Sequence, residues 1–156
     1  MCQIIPPEKD WIDLLGALIT PIVAFIGIYI AYQQRTINKN RLKHELFDKR
    51  YKIYIAIDTF IKSVITSGKV PDGGDFKFLS ETKSSALFFD SSIKELTDKI
   101  FKKAAELDGL VKVGKDLSKG PELKENIQAQ REIKNWFHKE YKTLEAKFTK
   151  YLRLED

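Results

Sequence analysis

The chain has 156 residues, a formal net charge of +5 and one cysteine, Cys2. A lone cysteine excludes an internal disulfide and a cysteine-rich metal site. The positive excess is mild and sits mostly in one segment, so charge gives no reason to expect nucleic acid.

The first ten residues, MCQIIPPEKD, form a slightly acidic tail. A run of 22 residues follows at 11–32 (WIDLLGALITPIVAFIGIYIAY), with Asp13 as its only charge. Its uncharged stretch, 14–32, has 19 residues. As a helix rising about 1.5 Å per residue it spans roughly 28 Å, near the thickness of a bilayer's hydrocarbon. A soluble core helix would be amphipathic, and this run is apolar on every side. A cleaved signal would need a basic start and a small-residue cleavage site, and neither is present. The sequence therefore predicts one transmembrane helix over 11–32.

Charge orients it. Glu8, Lys9 and Asp10 precede the run, whereas Arg35, Lys39, Arg41, Lys43, Lys49, Arg50 and Lys52 follow it, against Glu45 and Asp48. Positive charge stays cytoplasmic, so residues 1–10 are expected outside and 33–156 in the bacterial cytoplasm, with the span in the inner membrane. Trp11, Tyr29 and Tyr32 stand where interfacial aromatics belong. Anionic inner-leaflet lipid explains the basic segment.

Behind the span the pattern reads as helix throughout, an all-α bundle. One helix is expected to run from Gln33 toward Ser67, with a stripe of Leu42, Leu46, Phe47, Tyr54, Ile57, Phe60, Ile61 and Val64. Gly68 and the PDGGD cluster at 71–75 stop it. A short helix is expected at 80–88. Ser92 and Glu95 form a capping-box signature for a third helix, striped by Ile93, Leu96, Ile100, Ala104 and Leu107. Gly120 and Pro121 open the last one, whose stripe is Leu123, Ile127, Phe137, Tyr141, Leu144, Phe148 and Tyr151.

Within the span, Ala17, Thr20, Ala24, Gly27 and Ala31 repeat every three or four residues. Such a seam of small side chains lets helices approach closely in lipid, here in a near-parallel, left-handed sense. Pro21 should kink the helix and free a backbone carbonyl. Asp13 reads as an outer-interface charge, which in a ring of subunits would become a ring of carboxylates. Just past the span, Gln33, Gln34, Thr36, Asn38 and Asn40 are uncharged polar residues suited to line a wet vestibule, with Arg35 and Lys39 biasing it against cations.

Chemistry is sparse. GLVKVGKD at 109–116 resembles a phosphate loop but carries Asp116 where magnesium needs a hydroxyl, and it follows a helix instead of a strand. It reads as a helix end with a glycine stop. His44 and His138 lie on different helices, and no zinc-binding spacing occurs. No cofactor or metal is expected. One cluster remains, Arg131, Asn135 and His138. Seven residues separate the arginine from the histidine, placing both on one helix face. Histidine could move the proton of a ribose 2′-hydroxyl while arginine holds the phosphate, with a second chain completing the site. The plainer reading is a solvated helix face.

Arg131-x6-His138 on a late helix of a small all-α bundle resembles the motif of the HEPN superfamily, many of whose members are ribonucleases. The motif departs from the family habit, because Glu132 follows the arginine and Asn135 stands further on. Enzyme activity is accordingly not the leading expectation. A single N-terminal membrane helix joined to a HEPN-like bundle resembles the membrane accessory proteins of type VI-B CRISPR systems. The chain is also similar to a wider group of bacterial membrane proteins, through YQQ at 32–34, LFDKR at 46–50 and FxxYLRL at 148–154. The CRISPR resemblance implies a ring-shaped homo-oligomer, an octamer being one option. It implies a pore that depolarises the inner membrane and strengthens antiphage defence beside an RNA-guided, RNA-cleaving effector. Three functions stay open: such a pore, a membrane-tethered ribonuclease that binds RNA through Arg131 and His138, and a passive anchor for a cytosolic partner.

Overall fold

The computed structural model describes residues 11–153, with the side chains of 11–15 and Thr20 left aside. The expected outer tail at 1–10 and the side chains of Trp11, Asp13 and Thr20 lie outside the described residues. Every regular element among those described is an α-helix: α1 (Trp11–Ser67), α2 (Gly74–Thr82), α3 (Ser85–Phe88), α4 (Ser91–Asp116) and α5 (Pro121–Thr149). Packing divides the chain into two units at Lys43 and His44.

The first unit is the leading part of α1. Its most apolar 18-residue window has a mean hydropathy of 1.6, and none of that window is buried. Val23 (60% exposed) and Phe25 (73%) stand uncovered on opposite sides. The helix is long and apolar enough to cross a membrane, and its exposure separates it from a soluble core helix. Pro21 lies inside the helix. It lacks the N–H that would meet the carbonyl of Ala17, four residues earlier, so that oxygen is left for another donor.

The second unit begins with the remainder of α1. Ile53, Ile57, Phe60, Ile61 and Val64 are buried there. The expected stripe holds from Ile57 to Val64, Leu46 is still 37% exposed, and Ile53 joins the buried set. Gly68 ends the helix with φ +69, and its N–H reaches the Val64 carbonyl at 2.9 Å. That left-handed turn is cheap only for glycine.

The expected short helix at 80–88 is two helices. The PDGGD turn closes early through Gly74 N–H to the Pro71 carbonyl (2.8 Å), so α2 starts at Gly74. Phe78 then stacks on Phe60 with ring centroids 4.5 Å apart, which fixes α2 on α1. A break at 83–84 separates α2 from α3.

All five predicted stripe residues of α4 are buried. Its cap differs from the Ser92/Glu95 box. Asp90 is the N-cap, its Oδ1 accepting from the Ser92 N–H at 3.0 Å. A carboxylate at that position also faces the positive end of the helix, which a serine hydroxyl cannot match. The glycine stop is corrected too, because α4 runs through Gly109 and Gly114 to Asp116. Burial of Ala104 and Leu107 upstream and partial burial of Leu110 and Val111 hold the turn containing Gly109. At Gly114 a Cβ would meet Asn126 Oδ1 at 2.8 Å, so glycine is what lets α5 come this close.

Proline at the first turn opens α5 as expected. Its buried residues are Asn126, Ile133, Phe137, Leu144 and Phe148, while Ile127 (48%) and Tyr141 (36%) are exposed. Buried Asn126 donates Nδ2 to the Leu110 carbonyl at 3.1 Å and accepts from Gln130 Nε2 at 2.7 Å, which satisfies it in the α4–α5 contact.

Candidate functional site

Three groups of side chains bear on function, two in the first unit and one in the second. On α1, Ala17, Ala24, Gly27 and Ala31 fall within an arc of about 80° at 100° per residue. All four are exposed, and a Cβ added to Gly27 would meet nothing within 4 Å. The small-residue strip is therefore open for another helix to approach.

The vestibule candidates do not form one surface. Helical register puts Gln34 and Asn38 on the side of the small-residue strip and Gln33, Thr36 and Asn40 on the opposite side. All five are exposed. On the far side, Gln33 Nε2 donates to the Tyr29 hydroxyl at 2.8 Å and the Thr36 hydroxyl to the Tyr32 carbonyl at 3.3 Å. Any one passage lined by α1 takes one of these sets and not both.

On α5, Arg131, Asn135 and His138 span an arc of about 60°, centred roughly 130° from the buried face of the same helix. All three are exposed. The core leaves them in solvent because Ile133 and Phe137, at intervening positions, take the inward register. A second set of donors would have to come from outside this face for acid–base work on RNA. The phosphate-loop look-alike has no such standing, since 109–116 is continuous helix in α4. Among the described residues no group of three His, Cys, Asp or Glu is arranged to hold a metal.

One cluster was not singled out from sequence as a site. Arg50 Nε donates to the Phe88 carbonyl (3.0 Å) and Nη1 to the Tyr151 carbonyl (3.2 Å). Lys150 Nζ pairs with Asp90 Oδ2 at 2.8 Å. Hydrogen bonds from Lys150 and from Ser92 hold the Asp90 carboxyl well below the usual carboxylate range. Arg50 closes the segment LFDKR, and Tyr151 lies in FxxYLRL. Their physical link is Arg50 reaching the main chain at Tyr151.

The class defined by these observations is an all-helical protein with one helix long and apolar enough to span a bilayer. No protein-family model, no curated protein and no solved structure matches the chain.

Proposed function

We propose that this chain is a single-pass inner-membrane protein that assembles through α1 into a ring-shaped pore and depolarises the membrane in RNA-guided antiphage defence. The open strip of Ala17, Ala24, Gly27 and Ala31 on an unburied apolar helix carries the reading. One helix cannot enclose a channel, so close helix–helix contact is the requirement, and small residues supply it in lipid. The Ala17 carbonyl freed by Pro21 adds a polar group that a neighbouring helix or water must satisfy. The basic residues after the span support a cytoplasmic second unit. The HEPN-like character of the bundle and the link to a CRISPR effector rest on resemblance.

Light scattering with particle imaging of the detergent-purified protein tests it. A closed ring with a central hole supports the pore, while a monomer leaves only an anchor.

The accessible face of Arg131, Asn135 and His138 favours a second reading, a membrane-tethered ribonuclease. His138→Ala would then abolish RNA cleavage and leave assembly intact. Loss of assembly instead would make the pair structural.

A further inference from the structure

We propose that the hollow between α2, α3 and α4 binds a small zwitterion, of the size and charge pattern of a short α-amino acid. The site lies wholly within the second unit, so it depends on neither the membrane crossing nor the pore. The hollow measures about 160 Å³, roughly ten times what a single water needs. Four polar side chains are buried among the described residues, those of Thr82, Ser85, Thr97 and Asn126. Asn126 is satisfied in the α4–α5 contact, and the other three line this one hollow. A helical core gains nothing from gathering hydroxyls, since burying each costs free energy unless it finds a partner. The Thr82 hydroxyl donates to the Phe78 carbonyl at 2.8 Å and the Thr97 hydroxyl to the Lys94 carbonyl at 2.7 Å. With their protons engaged, both oxygens can only accept from a ligand. Ser85 differs. It is 3% exposed, and its hydroxyl has no hydrogen-bond partner among the described residues. The fully enclosed unpartnered group is the Tyr151 hydroxyl. The Ser85 oxygen therefore keeps an opening, and the hollow it lines supplies one.

Both signs of charge stand at the mouth. Lys83, Lys94 and Asp98 line the hollow and are exposed. None of the three forms an ion pair among the described residues. Asp98 leaves Lys94 unpaired one helical turn away, a spacing that is closed at Asp58–Lys62 (2.8 Å) and Asp108–Lys112 (2.6 Å). Two free ammonium groups and one free carboxylate suit a ligand that carries both charges. Its anionic end would take the Ser85 hydroxyl and the lysines, and its cationic end Asp98 and the threonine oxygens. A plain oxyanion would meet the Asp98 carboxylate, and a plain cation would meet two lysines. Leu79 and Ala86 complete the wall, which suits a short aliphatic side chain on the ligand.

The test is isothermal titration of the detergent-purified full chain with glycine, L-alanine and L-valine. Acetate, methylammonium and inorganic phosphate serve as probes of one charge only. Saturable binding of at least one amino acid, and of none of the single-charge probes, is expected. Ser85→Ala and Asp98→Asn should each weaken that binding by about tenfold or more. The unliganded Ser85→Ala chain should melt no earlier than wild type, because it loses only a hydroxyl that has no partner. A Ser85→Ala chain that melts earlier makes the hydroxyl structural and overturns the proposal. Phosphate or acetate binding as tightly as the amino acids overturns it in favour of a simple anion site. No saturation by any amino acid at millimolar concentration overturns it as well, and assigns the hollow to water.

Discussion

Arg50 on α1 bonds two main-chain carbonyls that lie 38 and 101 residues further along the chain, those of Phe88 and Tyr151. Its guanidinium carbon also sits 5.7 Å from the Tyr151 ring centroid. A planar fork with several fixed N–H directions can serve two acceptors from different segments at once. Arg50 therefore ties the first helix of the bundle to the end of α3 and to the turn after α5.

Arg50→Ala is expected to destabilise the bundle by about 2–3 kcal/mol, the scale of partly buried hydrogen bonds from a charged donor. Arg50→Lys should recover little, because one ammonium cannot span both carbonyls. Denaturant or thermal unfolding of the full chain in detergent reads both. An unchanged midpoint for alanine would show the bonds to be surface decoration.

Two glycines in one helix should respond in opposite senses. A Cβ at Gly109 meets nothing within 4 Å, whereas at Gly114 it meets Asn126 Oδ1 at 2.8 Å. Gly109→Ala should stabilise by up to about 1 kcal/mol through helix propensity. Gly114→Ala gains the same propensity but displaces Asn126 from Leu110 and Gln130, so a net loss of about 1 kcal/mol is expected. Parallel melts of the two variants decide it, and equal stabilisation would contradict the close α4–α5 approach.

Asp90 gives the bundle a pH signature. Its folded carboxyl titrates below the ordinary value, held down by Lys150 first and Ser92 next. A depressed folded pKa means the contribution is complete above the unfolded value of about 4 and fades as pH falls below it. The Lys150 ammonium is shifted upward, chiefly by its hydrogen bond to Asp90, so its share is lost only as pH rises past about 10. Asp90→Asn should lower the melting temperature at pH 7 and flatten its decline on the acid side. A variant that keeps the wild-type acid slope would assign that slope to other carboxylates.

Under the proposed pore, replacing Ala24 and Gly27 together with leucine should block close approach of α1 helices and abolish the proposed depolarisation, with membrane association unchanged. The measurement is a voltage-sensitive dye in cells matched for expression. Full depolarisation by the double variant would remove the seam from the mechanism.

Much of the fold is legible in the sequence where periodicity and turn chemistry agree. The α4 stripe from Ile93 to Leu107, the stop at Gly68 and the opening at Pro121 are of this kind. Legibility fails where a partner helix decides. Ile127 is apolar and on a helical period, yet α5 buries Asn126 beside it, because the Leu110 carbonyl across the contact offers that amide a partner. Ile133 hides from pattern reading between Arg131 and Lys134 but is 3% exposed. The seating of α2 on α1 depends on Phe78 meeting Phe60, a contact that no local pattern shows. For the sites, spacing shows that Arg131, Asn135 and His138 share a face. It shows equally, once α1 is known to be continuous, that the five vestibule candidates do not.

The rings of Tyr54 on α1 and Phe148 near the end of α5 stand 5.3 Å apart, with Phe148 fully buried. A ribosome makes Tyr54 long before Phe148. The apolar stretch of α1 is thus complete while the bundle still lacks its last core helix. Folding of the second unit must wait for translation to pass Phe148, so under the proposed membrane crossing delivery would precede closure of the domain.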